Sequence, residues 1–271
     1  MKICNSSLFM WYNLTVMKRI LLFILSLFLL LINMPSQAAQ NFVVKEISAQ
    51  ATDGFNLKAT LTYPKVKGQK DFKTVVLLHS LGYSSQWWDD LPDELLNKGY
   101  AVLAIDLRGH GKSVYTLKLA KVSWKNMKNS AYMKYPDDVI KVMDAVKNDN
   151  TKKTFFNTWA IVGSDIGASA GVIAADKLSN KPKTIVMISP VVKARGLYIP
   201  VSVAQLDNVD FLSITGTGDI ASKESATYLK KFAQDEFAEF TSESRTSGML
   251  MLKNDKTLSK MIAEWISEYL N

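Results

Sequence analysis

From residue 42 to residue 271, short apolar runs alternate with amphipathic stretches. Residues 42–50 and 55–63 read as two strands joined by the turn Thr52-Asp53-Gly54. Residues 74–79 and 100–105 are continuous apolar runs, the pattern of strands covered on both faces. A helix is predicted between them, near 89–98, and a loop follows over 106–113. Pro136 opens another helix, with Val139, Val142, Met143 and Val146 on one face. Strands at 158–162, 184–189 and 211–215 then alternate with helices near 166–178 and 222–232. A last strand near 236–241 precedes a final helix over 256–270. This order predicts an α/β protein with a mostly parallel central sheet and helices on both faces. The connection over 189–210 is too short for an inserted lid domain.

The first 38 residues have a different character. Lys18 and Arg19 precede the uncharged apolar run of residues 20–32, and Pro35-Ser36-Gln37-Ala38-Ala39 follows. That is the layout of a cleaved signal peptide, with cleavage after Ala38, and the run is shorter than the ~18–20 residues that span a bilayer. Met17 reads as a natural start, in which case residues 1–16 are an artefact of an upstream start; the choice between Met1 and Met17 stays open. No cysteine follows the apolar run, so no lipid anchor is expected. The expectation is an exported protein, periplasmic or extracellular, that meets the membrane only through its leader. Residues 39–271 then form one domain of 233 residues, large enough for a full core. Loss of Lys2, Lys18 and Arg19 lowers the formal charge from +8 to +5, which does not point to nucleic acid. The only cysteine, Cys4, leaves with the leader, so neither a disulfide nor thiol chemistry is expected.

The candidate chemistry centres on Gly163-Ser164-Asp165-Ile166-Gly167, between an apolar strand and a small-residue helix. The pattern is that of a nucleophile elbow, whose two glycines flank a sharp strand-to-helix turn that leaves no room for a Cβ. Asp165 stands at its centre. Taking Ser164 instead would put Val162 and Ile166 at the glycine positions, so Asp165 is read as the elbow residue.

Two further segments carry a family likeness. Val75-Val76-Leu77-Leu78-His79-Ser80-Leu81-Gly82, and the run from Gly99 through Asp106-Leu107-Arg108-Gly109-His110-Gly111 to Ser113, together with the elbow resemble the α/β-hydrolase superfamily. The likeness covers residues 42–271 and is greatest to the lidless esterase and dienelactone-hydrolase-like branch. It implies that backbone N–H groups of Ser80 or Leu81, with that of Ile166, form an oxyanion hole. It implies that Asp219, in Gly216-Thr217-Gly218-Asp219, matches the triad acid. The histidine position falls on Ser247, or on Arg245 if the register shifts by two. Neither is a histidine. The chain's two histidines, His79 and His110, precede the elbow and are read as packing and loop hydrogen-bonding residues.

A carboxylate can attack an alkyl carbon without a base, but the ester it forms needs an activated water to leave. The replacement of both nucleophile and base therefore predicts a non-catalytic scaffold that binds a small ligand or a partner in the old cleft. The alternative is a hydrolase of small esters using Asp165, Asp219 and an unconventional base. No cofactor, metal or nucleic acid is expected, and nothing specifies an oligomeric state. Asp219 is read either as a vestigial acid or as a helix cap, and Trp87 and Trp88 either as a pocket wall or as helix anchors. The lysine- and aromatic-rich stretch 113–135 is read as a solvated basic loop that packs its aromatics inward, or as a surface for an anionic envelope polymer.

Overall fold

The computed structural model describes residues 41–149 and 153–271; the leader read in the sequence lies outside them. Eight strands form the body of the sheet: β1 (Phe42–Gln50), β2 (Phe55–Pro64), β3 (Asp71–Leu78), β4 (Ala101–Asp106), β5 (Thr154–Ser164), β6 (Thr184–Ile188), β7 (Asp210–Gly216) and β8 (Phe237–Ser242). Their spatial order is β1-β2-β4-β3-β5-β6-β7-β8, with a two-residue strand, Tyr115–Thr116, added beside β2. β2 runs antiparallel to β1 and to β4, and every later pairing is parallel. The longer helices are α1 (Leu91–Asn97), α2 (Tyr135–Lys147), α3 (Ile166–Lys177), α4 (Ile220–Lys230) and α5 (Thr257–Leu270).

The apolar runs explain the layers. Successive side chains of β3 point to opposite faces, so Val76 and Leu78 enter one core and Val75 and Leu77 the other. The first core is closed by Val139 and Val142 of α2 and Val172 of α3, the second by Leu91 and Leu95 of α1 and Ile262 and Ile266 of α5. A sheet covered on both faces needs apolar residues at consecutive positions, which is what β3, β4 and β6 carry.

Two departures from the sequence reading have local causes. β5 begins at Thr154, not at residue 158, because Phe156 adopts φ 66 and the pairing with β3 shifts register between Phe72 and Thr74. That irregularity puts Phe155 and Phe156 both in the core and hides the strand's alternation. The connection over 189–210 forms no separate domain, but it is structured. It holds the two-residue strands Lys193–Ala194 and Leu197–Tyr198 and the helix Pro200–Gln205. Elements this short carry no readable period.

A buried charge network fixes the loop after β4. The Arg108 guanidinium donates to Asp138 at 2.7 and 2.8 Å and to Asp53 at 2.6 and 3.1 Å, and it lies 4.5 Å from the centre of the Phe55 ring. It thus ties together the β1–β2 turn, the β4 loop and α2. Arg108 holds the Asp53 carboxyl well below the usual range, whereas burial pushes Asp138 up against the opposing pull of Arg108.

Arg108→Met keeps most of the packing on Phe55 but strands Asp138 as a buried, unpaired charge. The expected loss at neutral pH is about 3–5 kcal/mol. The depressed Asp53 pKa contributes stability that is full above its unfolded pKa and is lost as pH falls through its folded value, and an unpaired Asp138 is penalised only when ionised. The gap between parent and variant should therefore shrink as pH falls through the carboxylate range. Urea unfolding at neutral and acid pH measures both, and an equal loss at the two would contradict it.

Candidate active-site cleft

β5 passes into α3 through Asp165, whose backbone stands at φ 53, ψ −120, a conformation that costs a non-glycine residue about 1–3 kcal/mol. The surrounding packing holds it there. A Cβ on Gly167 would lie 2.1 Å from the Leu78 carbonyl oxygen, and one on Gly163 would lie 2.4 Å from Cα of Ala168. The start of α3 is thus pressed against the end of β3, and Asp165 is lifted to the rim. Ser164 faces the other way: it is fully buried, and its Oγ lies 2.7 Å from Oγ of Ser80.

Asp165 lines a cleft of about 400 Å³ together with Ser80, Leu81, Asp219 and Ser247. Its Oδ2 accepts the Leu81 backbone N–H at 3.3 Å. Of the two amides considered in the sequence for this loop, it is Leu81 that faces the elbow; the Ser80 side chain is turned to Ser164. Burial raises the Asp165 pKa above the usual aspartate value. The Leu81 and Ile166 N–H groups pull it down, nearby Asp219 adds to the rise, and Arg195 opposes it. The backbone donors that resemblance assigned to an oxyanion thus act on a carboxylate of the protein itself.

Asp219 is both helix cap and cleft wall. Oδ1 accepts the Ser222 N–H at 3.3 Å at the start of α4, and Oδ2 accepts the Ser189 hydroxyl at 2.6 Å. Ser189 Oγ in turn accepts the Gly248 N–H at 2.7 Å. Sequence reasoning missed Ser189. Its signal was weak, a serine before Pro190 at the end of a strand, held at φ 50. Ser247 lines the cleft, whereas Arg245 packs its carbonyl 2.4 Å from where a Cβ on Gly218 would stand and is not part of the lining.

Neither histidine reaches this cleft with a free nitrogen. His79 Nε2 accepts the Leu107 N–H at 3.0 Å, which leaves Nδ1–H to donate to the Ser80 carbonyl at 2.8 Å. His110 Nε2 accepts the Gly82 N–H at 3.0 Å, and its Nδ1–H donates to the Arg108 carbonyl at 3.1 Å. Both rings are buried, and burial followed by the neighbouring His110 pushes His79 down to about 4. Burial also lowers His110. These are neutral rings that brace the loops after β3 and β4.

The paired tryptophans divide the two roles considered for them. Trp88 is 1% exposed and packs in the core with Leu91 and Leu95, while Trp87 is 50% exposed and borders a second cavity beside Trp124. Among the described residues no cluster of three or more His, Cys, Asp or Glu side chains is placed to hold a metal. No described helix is long and apolar enough to cross a membrane.

Residues 69–235 match the family model described as serine aminopeptidase, S33. A serine hydrolase-like protein of Dictyostelium discoideum is 26% identical over 144 residues, which is 53% of this chain; the chain spans only 34% of that relative's length. Among solved structures, an esterase of Pyrococcus furiosus superposes with a TM-score of 0.62 at 15% identity, over 85% of this chain and 92% of its own. The dienelactone hydrolase of Anabaena variabilis gives 0.60 at 15% identity, over 86% and 100%. At these identities the structural likeness establishes the fold.

Because burial raises the Asp165 pKa, ionising it costs folding free energy as pH rises above its unfolded value. Asp165→Asn removes that charge and keeps an oxygen for the Leu81 N–H. The variant should melt above the parent at neutral pH, and the difference should vanish in acid where Asp165 is protonated in both states. A variant that melts lower at neutral pH would show that the carboxylate is held favourably.

Proposed function

The chain belongs to the α/β-hydrolase-fold family described as serine aminopeptidase, S33, and on that premise we propose that it is a non-catalytic member whose former active-site cleft binds a small ligand or a group of a partner. The observation that carries this reading is the bond from the Leu81 N–H to Asp165 Oδ2. An oxyanion hole accelerates acyl transfer by offering donors to charge that develops only in the transition state. Here a permanent carboxylate already takes the donor, so an incoming carbonyl gains little from it.

The missing base supports the same conclusion. Attack by Asp165 on an acyl ester would yield an anhydride, and attack on an alkyl carbon would yield an enzyme ester that water must cleave. That water needs a base, and all four imidazole nitrogens of the chain face backbone partners. Ser247 offers only a hydroxyl, and Asp219 is engaged by Ser189 and Ser222. The competing reading, hydrolysis by Asp165 with Asp219 and an unconventional base, rests on the intact elbow and on Asp219 standing in the same cleft.

The lining also suggests what the cleft accepts. Asp165, Asp219, Ser189, Ser222 and Ser247 supply carboxylates and hydroxyls, and no lysine or arginine is among them. Such a wall favours a small molecule that donates hydrogen bonds over an anionic one. Export is part of the same proposal: residues 1–38 act as a cleaved leader, and the protein works in the periplasm or outside the cell.

Wild-type protein should show no turnover of activated esters above buffer and no labelling by a serine-directed phosphonate. Asp165→Ser combined with Ser247→His should produce both, because it frees the Leu81 amide and supplies nucleophile and base together. Either change alone should do far less, since triad members act as a unit. Repeated turnover by wild type that disappears in Asp165→Ala would overturn the proposal in favour of the Asp165 hydrolase.

For export, N-terminal sequencing of protein from fractionated cells should begin at or near Ala39 in a fraction outside the cytoplasm. Full-length chain confined to the cytosol would refute that part.

A further inference from the structure

Between Asp106 and Asp137 the chain has no acidic residue and seven basic ones. Three of these are paired: Arg108 with Asp138, Lys112 with Glu46 and Lys134 with Asp53. Lys118, Lys121, Lys125 and Lys128 are exposed, and among the described residues none of them has a carboxylate within ion-pair distance. The aromatics of the segment are largely turned inward. Tyr132 and Tyr135 are buried, and Trp124 stacks on His110 with ring centres 5.6 Å apart.

The aliphatic side chains are not turned inward. Leu117 is 58% exposed and Leu119 78%, beside Tyr115 at 43%. They sit at the tip of a small hairpin closed by Val122 N–H to Val114 carbonyl at 2.8 Å and Thr116 N–H to Ala120 carbonyl at 3.0 Å. Leu117 N–H bonds the Gly54 carbonyl at 2.8 Å, which fixes the hairpin to the β1–β2 turn. Leu119 stands at φ 59, where glycine or asparagine would be held at less cost. The backbone is thus strained at a residue whose side chain is left in water.

We propose that this hairpin seats the protein on a lipid bilayer with anionic headgroups. Leu117 and Leu119 enter the boundary between headgroups and acyl chains, while Lys118, Lys121 and Lys125 meet lipid phosphates. Exposed aliphatic side chains ringed by unpaired lysines are the combination an anionic interface rewards. A soluble anionic polymer would use the lysines and leave both leucines in water, so the bilayer is the better match. The surface is separate from the cleft at Asp165 and does not depend on how that cleft is read.

The test is sedimentation of residues 39–271, the exported form proposed above and the part that holds every described strand and helix, with vesicles of phosphatidylcholine alone or mixed equally with phosphatidylglycerol. Binding should favour the mixed vesicles and weaken with salt. Leu117→Ser with Leu119→Ser should lower the partition coefficient at least about tenfold. Lys118→Ser or Lys121→Ser should lower it about fivefold each. Melting temperatures should not change. Every variant begins at Ala39, so the apolar run of residues 20–32 contributes to none of the comparisons. Leu119→Trp should bind at least as well as the parent, and its added indole fluorescence should be quenched by brominated acyl chains. The proposal is overturned if mixed vesicles bind no better than neutral ones, or if the double serine variant binds like the parent. It is overturned as well if dextran sulfate binds as tightly as the mixed vesicles with the leucine changes having no effect, which would assign the lysines to a polymer.

Discussion

The start of α3 crosses the end of β3 with no space for a methyl group between them. Gly167 meets the Leu78 carbonyl there, and Gly163 meets Ala168. Everything at the cleft depends on that contact. It forces the left-handed backbone at Asp165, sends Ser164 inward to Ser80, and brings the loop after β3 within hydrogen-bond reach of the elbow side chain. The strain is local, and the two packed cores on either side of the sheet hold it in place.

The same geometry gives opposite results with different elbow residues. A hydroxyl at this position would leave the Leu81 N–H free for a substrate oxygen. A carboxylate is longer and charged, and it takes the donor itself. The cost is visible in the raised Asp165 pKa, since burial and Asp219 disfavour the charge more than the amides reward it. On the far wall, Ser189 joins Asp219 to the Gly248 amide. Each wall of the cleft is thus braced by bonds among its own residues. The glycines, strand order and loop-bracing histidines serve packing, whatever residue stands at the histidine position.

Much of this was legible in the sequence where one physical cause acted alone. The buried runs of β3, β4 and β6 marked a doubly covered sheet, and the spacing of Gly163 and Gly167 marked the elbow. Asp219 was picked out only by the family resemblance, and the structure places it in the cleft wall as the cap of α4. What escaped depended on pairs of segments remote in sequence. Phe156 concealed the start of β5 because its left-handed backbone breaks the alternation. Ser189 gave no periodic signal, since its role follows from Asp219 and Gly248 meeting it across the cleft. The capture of the Leu81 amide by Asp165 was equally hidden: sequence named both residues but not the bond. The exposure of Leu117 and Leu119 carries no signal in the sequence, because it follows from how the hairpin docks on the β1–β2 turn.

The proposed function rests on the Asp165 carboxylate occupying the site where an oxyanion would bind. Its most direct test is a pH titration of the Leu81 and Ile166 amide resonances by nitrogen–proton NMR. The structure predicts that both amides shift with one midpoint, above the ordinary aspartate value because burial raises it, and that the shift is absent in Asp165→Asn. Amides that stay constant through the carboxylate range, or that titrate unchanged in Asp165→Asn, would contradict the claim and leave the anion site open.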